Sequence, residues 1–212
     1  MTRPQNPADL IVLVADKNMQ AVLEALLART ESFQVRPFDY QVHLHPRSDP
    51  GCRLESENFL RPFTQQFSHA LVLFDYQGCG AEHSHSSEQI ENDVESRLEL
   101  AGWNGHARAI VIDPELEIWV WSRSSRVEEI LGWQGKTPDL RSWLVEDGRF
   151  RILQDWKPEH PKEALEAALK HVRKVRSSAV LRQLAQQISW RGCTNRAFLR
   201  LQSTLQTWFP KN

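Results

Sequence analysis

The sequence has few cysteines. Cys52, Cys79 and Cys193 are widely separated, and no two of them form a CxxC pair. An odd, sparse set of cysteines argues against a disulfide framework and against a zinc site built from paired cysteines. We expect each thiol to serve as a small, buried hydrophobic side chain.

Long apolar runs are also missing. No stretch approaches the roughly 18–20 apolar residues that a membrane helix requires. The first ten residues, MTRPQNPADL, are polar and lack the apolar centre of a secretory signal. A composition of 41% hydrophobic and 25% charged residues is typical of a globular domain. We therefore expect a cytoplasmic protein that does not contact a membrane.

The most specific catalytic motifs do not occur. There is no GxSxG and no HExxH, and the "GCG" at residues 78–80 is followed neither by GKS/T nor by the spacing of GxGxxG. A hydrolase with a Ser or Cys nucleophile therefore has no specific support. Any chemistry has to be sought among the acidic residues.

Charge is divided unevenly along the chain. Residues 1–161 hold 16 Lys/Arg and 25 Asp/Glu, whereas residues 162–212 hold 10 and 2. Such a basic segment indicates a nucleic-acid surface or a docking surface for an acidic partner. On the first interpretation, phosphate contacts come from Arg173, Lys174, Arg176 and Arg182. The alternative is that the segment folds back on the acidic body of the same chain.

Apolar runs of strand length alternate with segments of helical periodicity. This alternation predicts an α/β fold, with a mostly parallel sheet of four or slightly more strands flanked by helices. We predict an α/β domain over residues 1–160 and a basic helical extension over 161–212 that packs on it. Strands are predicted at 9–15, 38–44, 69–74 and 107–112. Helices are predicted at 16–29, 55–66, 86–102, 161–174, 178–188 and 194–208.

Two segments are harder to assign. Residues 45–53, "HPRSDPGCR", contain two prolines and a glycine and predict a loop. In "DPELEIWVWS", Asp113 is suited to cap a helix that begins at Pro114. The same residues also alternate in polarity, so a hairpin turned at Asp-Pro is the alternative.

Acidic residues follow three of the predicted strands. These are Asp16, Asp75 and Asp113, with Glu82 and Glu117 close behind. Ligands of parallel sheets gather at the carboxyl ends of the strands. Clustered carboxylates there are typical of a Mg²⁺ site that supports phosphodiester chemistry. For Asp16 and Asp113, simple helix capping is the alternative.

The turn "FDYQGCG" makes Asp75 the best single candidate. Gly78 and Gly80 permit positive φ and a close approach of the backbone to a phosphate or another ligand. At these residues the chain resembles the Toprim-like superfamily, in particular a branch of unknown function found in bacterial defence islands. The segments that carry the resemblance are "IVLVADKNMQAVLEALL", "VLFDYQGCG", "DPELEIWVW", "HPKEALEAAL" and "CTNRAFLRLQSTL".

The resemblance implies a Toprim-like fold and a divergent site. A full site has a Glu after the first strand and an Asp-x-Asp pair after a later one, which together hold Mg²⁺. Here Asp75 matches the first acid of the pair, Gln77 occupies the position of the second, and Asp16 stands where the Glu is expected. The implied metal ligands are Asp16, Asp75 and Glu117, and the implied catalytic residues are Asp75 and Glu117. Either Glu82 or Glu117 completes this site, or the chain is a non-catalytic relative.

Three functions are compatible with these patterns. The first is an adaptor or nucleic-acid-binding subunit of a bacterial anti-phage defence system, of the kind associated with methylation. Its partners would be other proteins of a defence operon, such as an ATPase or a methyltransferase, and DNA. The second is a Mg²⁺-dependent nuclease or related phosphotransfer enzyme. The third is a small protein that binds a phosphate ligand at the turn formed by Gly78 and Gly80.

Overall fold

The centre of the fold is a four-stranded, fully parallel sheet with the strand order β2-β1-β3-β4. The computed structural model describes residues 7–153 and 156–211. The strands are β1 (Ala8–Val14), β2 (Tyr40–Leu44), β3 (Phe67–Asp75) and β4 (Ala107–Ile112). The apolar side chains of β1, β3 and β4 are mostly buried on both faces of the sheet, whereas those of the edge strand β2 are only partly buried.

Ten α-helices lie in the described residues, and most are amphipathic. The helix α1, for example, buries Met19, Val22, Leu23 and Leu26, which recur at helical spacing. Short 3₁₀ turns cover Arg61–Phe63 and Glu146–Gly148, and a π-helical turn covers Glu99–Trp103. The α-helices are α1 (Lys17–Leu27), α2 (Thr30–Phe33), α3 (Ser48–Leu60), α4 (Ser87–Leu98), α5 (Glu117–Val120), α6 (Ser125–Leu131), α7 (Leu140–Val145), α8 (Pro161–His171), α9 (Ser178–Gln187) and α10 (Arg196–Trp208).

The predicted α/β alternation is confirmed, including all four strands. The prediction of a loop over residues 45–53 is wrong, because α3 begins at Ser48. Pro50 is the third residue of this helix. A proline is tolerated there because the first N–H groups of a helix have no partner within it. The early start brings Asp49 to the end of β3, where its Oδ1 accepts a hydrogen bond from the Asp75 N–H at 2.8 Å.

The segment after β4 also differs from the prediction. The helix α5 is a single turn over Glu117–Val120, so Asp113 does not cap a helix that begins at Pro114. The alternative hairpin does not form either. The segment is held across the end of β3 instead. The Leu116 N–H donates to Asp75 Oδ1 at 2.8 Å, and the Gln77 N–H donates to the Pro114 carbonyl at 2.9 Å.

The C-terminal helices pack against the rest of the chain. The helix α9 contacts α1, α10 contacts β4 and α2, and α8 contacts α5 and α7. Their buried apolar residues belong to the same hydrophobic core as the sheet. Basic side chains of these helices also form ion pairs with acids of the body, including Arg196 with Glu91 at 2.7 Å and Arg200 with Glu95 at 2.6 Å.

No helix in residues 7–153 or 156–211 is both long enough and apolar enough to span a membrane.

Candidate functional site

Strand register brings acids of two neighbouring strands to the same edge of the sheet. Val14 of β1 pairs with Leu73 of β3. Asp16 and Asp75 each lie two residues beyond this pair, so they reach the same level at the carboxyl end. Asp75 also pairs with Ile112, the last residue of β4. The segment that follows β4 therefore begins beside Asp75 and delivers Glu115 and Glu117 to this edge.

These acids line a cleft of about 310 Å³, which we call the acidic cleft. Six carboxyl groups and two cationic side chains are among its described lining residues, so carboxyl groups outnumber cations by four. The carboxyl groups belong to Asp16, Asp49, Asp75, Glu115, Glu117 and Glu163, and the cations are Lys162 and Arg176.

Three of the carboxyl groups converge closely. Oxygens of Asp75, Glu115 and Glu117 all lie within 4.8 Å of one another, and the two glutamates are 5% and 1% exposed. The predicted pair Asp75 and Glu117 therefore does meet. Asp16 lines the cleft but is not one of the three, and its Oδ1 caps α1 by accepting the Met19 N–H at 2.8 Å. Glu115 takes the third place instead.

The crowding of carboxyl groups changes their titration. Burial raises the pKa of Asp75 well above its usual range, and the nearby charges of Asp49, Glu117, Glu115 and Asp16 raise it further. The pKa of Glu115 is raised by burial and then by Glu117. Burial likewise raises the pKa of Asp49, although hydrogen bonds from backbone N–H groups oppose this effect. Each shift reflects the cost of holding another negative charge in the cleft.

The two cations partly offset this charge. The Arg176 guanidinium forms a buried ion pair with Glu117, with Nε 3.0 Å from Oε1 and Nη2 also in contact. The Lys162 N–H donates to Glu115 Oε1 at 3.2 Å, and the Lys162 ammonium lies 3.9 Å from Oε2. Arg176, which the sequence analysis assigned to nucleic acid, thus reaches into the acidic cleft.

The other basic residues assigned to nucleic acid lie in different surroundings. Arg182 pairs with Glu24 at 2.7 Å, and the Lys174 ammonium donates to the Ile130 carbonyl at 3.0 Å. Arg173 is exposed and has a positive φ of 58°. Their role in binding nucleic acid stays a prediction.

The glycine turn lies beside the cleft. Gly78 and Gly80 have φ values of 89° and 80°, and Gly78 lines the cleft. Glu82 does not join the carboxylate cluster. Its side chain accepts the Gly78 N–H at 3.3 Å, and its pKa is lowered by hydrogen bonds from its own and neighbouring backbone N–H groups. Glu82 therefore stabilises the turn. Gln77 lines the cleft as a neutral side chain.

Sequence reasoning missed four charged residues of the cleft, namely Asp49, Glu115, Lys162 and Glu163. Glu115 stands in the same "DPELE" element as Glu117, and its spacing of two residues was the available signal. Asp49 was hidden in a segment that its prolines marked as a loop. Lys162 follows Pro161 at the start of α8, where no local pattern indicates contact with the sheet.

The donor set suits a divalent cation. Carboxylate oxygens are the ligands that hard cations prefer, and a cation would relieve the surplus negative charge. Oxygens that share a Mg²⁺ ion at about 2.1 Å lie at most about 4.2 Å apart, and those that share Ca²⁺ at about 2.4 Å lie up to about 4.8 Å apart. The observed spacing within 4.8 Å is thus close to shared coordination. The donor set does not by itself select Mg²⁺.

Comparison with known proteins identifies no relative of this chain. No protein-family model, no curated protein and no solved structure matches this chain. Support for the four-stranded parallel α/β fold and for the acidic cluster therefore comes from the structure alone. Membership of a Toprim-like family stays a prediction from the sequence.

Proposed function

We propose that this chain binds a divalent cation through Asp75, Glu115 and Glu117 and uses it in the cleavage or transfer of phosphate esters. The observation that carries the proposal is the convergence of three carboxyl groups, two of them almost completely buried, within 4.8 Å. Buried like charges are tolerated when a cation neutralises them.

The surrounding residues suit a phosphate substrate. When bound, a divalent cation would supply positive charge to the phosphate oxygens. The Lys162 ammonium, whose side chain is 45% exposed, lies at the edge of the cleft and can bind a phosphate oxygen. The backbone at Gly78 leaves room for close approach, since a Cβ added there would meet nothing within 4 Å. Asp75 is held in place by the Leu116 N–H, which orients one of its oxygens.

Cation binding can be measured directly. Titration calorimetry with Mn²⁺, Mg²⁺ and Ca²⁺ should give saturable binding to the wild type, with a loss of at least about tenfold in affinity for Asp75→Asn and Glu115→Gln. Glu82→Gln is the matched control, because Glu82 lies on the adjoining turn outside the cluster. The proposal fails if no cation binds at millimolar concentration, or if Glu82→Gln weakens binding as much as Asp75→Asn.

Catalysis is tested with the same variants. Cleavage of a chromogenic phosphodiester and nicking of plasmid DNA should require Mn²⁺ or Mg²⁺ and should be lost in Asp75→Asn and Glu117→Gln but kept in Glu82→Gln. Metal-independent cleavage, or equal cleavage by all variants, would rule out this chemistry.

A second candidate is a non-catalytic adaptor. The observation that favours it is the ion pair between Arg176 and Glu117, which supplies an internal positive charge where a cation would bind. The resemblance to defence-island proteins suggests the setting: a complex with products of neighbouring genes, such as an ATPase or methyltransferase, on DNA. Co-purification of a stoichiometric complex, together with absence of cation binding, is the result expected for an adaptor. A protein that binds neither a partner nor DNA would exclude it.

A further inference from the structure

A second cleft lies between two loops, and none of the six carboxyl groups of the acidic cleft lines it. Its volume is about 390 Å³, within the range of roughly 300–1,000 Å³ that small-molecule sites occupy. One wall is the segment 121–125, which joins α5 to α6, and the other is the segment 189–194, which joins α9 to α10. Arg123, Lys157 and Arg191 line it, and no acidic residue is among its described lining residues. We call it the arginine cleft.

Its two arginines have no partner inside the described protein. Within residues 7–153 and 156–211, four arginine side chains make no hydrogen bond, ion pair or ring contact, namely Arg61, Arg123, Arg173 and Arg191. Two of these four, Arg123 and Arg191, line the arginine cleft, one from each loop. A guanidinium presents a planar fork of N–H donors that matches the oxygens of a phosphate group. The cleft therefore offers unused donors for an anion.

The floor of the cleft is aromatic. Trp119, Trp121 and Trp190 line it. Their indole N–H groups are already used, because they donate to Asn195 Oδ1 at 2.9 Å, the Pro161 carbonyl at 2.8 Å and the Ala185 carbonyl at 3.2 Å respectively. The three residues are 1%, 4% and 8% exposed, so the indoles present a small strip of carbon surface, against which a planar apolar group can pack.

Hydroxyl groups complete the polar rim. Serines of both loops line the cleft, including Ser125 and Ser189. A hydroxyl can donate to a phosphate oxygen or accept from a base. Gly192, with a φ of 76° and open space where a Cβ would lie, allows the second loop to turn without covering the cleft.

We propose that the arginine cleft binds a nucleotide, with the phosphate between Arg123 and Arg191 and the base over the tryptophan floor. The anionic and the planar halves of a nucleotide match the two halves of this lining. The nucleotide is either a free mononucleotide or one unit of a single-stranded nucleic acid, and the two sources share this chemistry. The proposal does not depend on the cation site, since no residue of the Asp75, Glu115 and Glu117 cluster lines this cleft.

The test measures binding to the whole chain in EDTA, so that no divalent cation contributes. The probes are AMP, adenosine, inorganic phosphate and an eight-nucleotide single-stranded DNA, each followed by titration calorimetry. Arg123→Ala and Arg191→Ala should each weaken AMP binding by about tenfold or more, because each removes charge-assisted hydrogen bonds. Arg61→Ala is the matched control, since Arg61 is another arginine without a partner and lies outside the cleft.

The outcomes separate the interpretations. Adenosine and inorganic phosphate should each bind at least about tenfold more weakly than AMP, because each lacks half of the ligand. Tighter binding of the DNA assigns the cleft to a strand, and tighter binding of AMP assigns it to a free nucleotide. The proposal is overturned if neither binds at millimolar concentration, if either half binds as well as AMP, or if Arg61→Ala has the same effect as the cleft variants. Asp75→Asn should bind AMP normally, which keeps this test separate from that of the cation site.

A chemical footprint gives an independent readout. Cys193 lines the arginine cleft and is partly exposed, whereas Cys52 and Cys79 are buried. Rapid alkylation of the folded protein should therefore modify Cys193 first. Saturating AMP should slow this modification several-fold in the wild type but not in a variant that carries both Arg123→Ala and Arg191→Ala. Equal rates with and without bound AMP would place the nucleotide elsewhere and overturn the assignment.

Discussion

The two clefts differ in the sign of their charged side chains and in whether those side chains are paired. In the acidic cleft, both lysine and arginine are paired with buried glutamates, and carboxyl groups remain in excess. In the arginine cleft, two guanidinium groups have no partner in the described structure, and no described lining residue is acidic. The acidic cleft has fewer cations than carboxyl groups, whereas the arginine cleft has cations and no described acidic residue.

The difference lies in exposure. Arg123 and Arg191 are exposed, so water satisfies their charge at little cost. Glu115 and Glu117 are buried, and their charge must be met by protein groups, protons or a bound cation. The acidic cleft is therefore expected to affect stability, whereas the arginine cleft is expected to affect binding alone. Four measurements test this contrast.

The largest effect is expected for Arg176→Ala. It leaves the Glu117 carboxylate, 1% exposed, without its ion-pair partner. Breaking a buried pair in this way costs about 3–5 kcal/mol in the free energy of unfolding. Urea denaturation without metal measures the loss. Arg182→Ala is the control, because its pair with Glu24 is partly exposed and should contribute about 0–1 kcal/mol. Equal losses would contradict the contrast.

Asp75→Asn should stabilise the metal-free protein at pH 8 by on the order of 1 kcal/mol or more. The amide keeps an oxygen that can accept the Leu116 N–H and removes one negative charge from the cluster. Thermal unfolding in EDTA measures the change. Asp39→Asn is the control, since Asp39 is exposed and lies outside the cluster. If Asp75→Asn is less stable than the wild type, protein groups already compensate the negative charge of Asp75 in the metal-free protein.

The raised pKa of the Asp75 carboxyl group predicts how stability depends on pH. Because the pKa of Asp75 is raised in the folded state, the folded protein holds more protons than the unfolded chain above pH about 4. The free energy of unfolding contributed by Asp75 should therefore fall as pH rises through this window, up to the raised pKa. The difference in stability between wild type and Asp75→Asn, measured from pH 4 to 8, should grow with pH. Saturating Mn²⁺ should remove the trend, and a difference that does not vary with pH would refute it.

The smallest effect is expected for Arg123→Ala and Arg191→Ala. Neither side chain has a partner within the described residues, so each should change the free energy of unfolding by less than about 0.5 kcal/mol. Urea denaturation of both variants, beside Arg176→Ala, completes the comparison. A loss above about 1 kcal/mol would reveal a structural role for these arginines and would weaken their assignment to a ligand.

The strands and most helices could be predicted because their patterns are local. Apolar runs of strand length and the helical spacing of Met19, Val22 and Leu26 express burial directly in the sequence. Asp75 could be predicted for the same reason, since its place at the end of β3 follows from the strand itself. Topology then brings the carboxyl ends of β1, β3 and β4 to one edge.

The rest of the site depends on contacts between distant segments. Asp49 reaches β3 only because α3 begins at Ser48 and includes Pro50 in its first turn. A Pro-Gly pair usually indicates a loop, so the sequence did not predict this helix start. The path of residues 113–116 depends on hydrogen bonds to Asp75 and Gln77, so the spacing in "DPELE" indicated Glu115 as a candidate but could not establish that it meets Asp75. Arg176 pairs with a residue 59 positions away, and net charge alone could not tell an internal counter-ion from a ligand contact.

The helix α5 gives this arrangement a mechanical consequence. In four residues it carries Glu117, which belongs to the acidic cleft, and Trp119, which lies in the floor of the arginine cleft. Because both residues belong to one helical turn, a movement of this turn displaces both. If a ligand in one cleft shifts this turn, it changes the affinity of the other cleft for its own ligand. By thermodynamic reciprocity, each ligand changes the affinity for the other by the same factor. The two clefts, opposite in charge, thus share one helical turn.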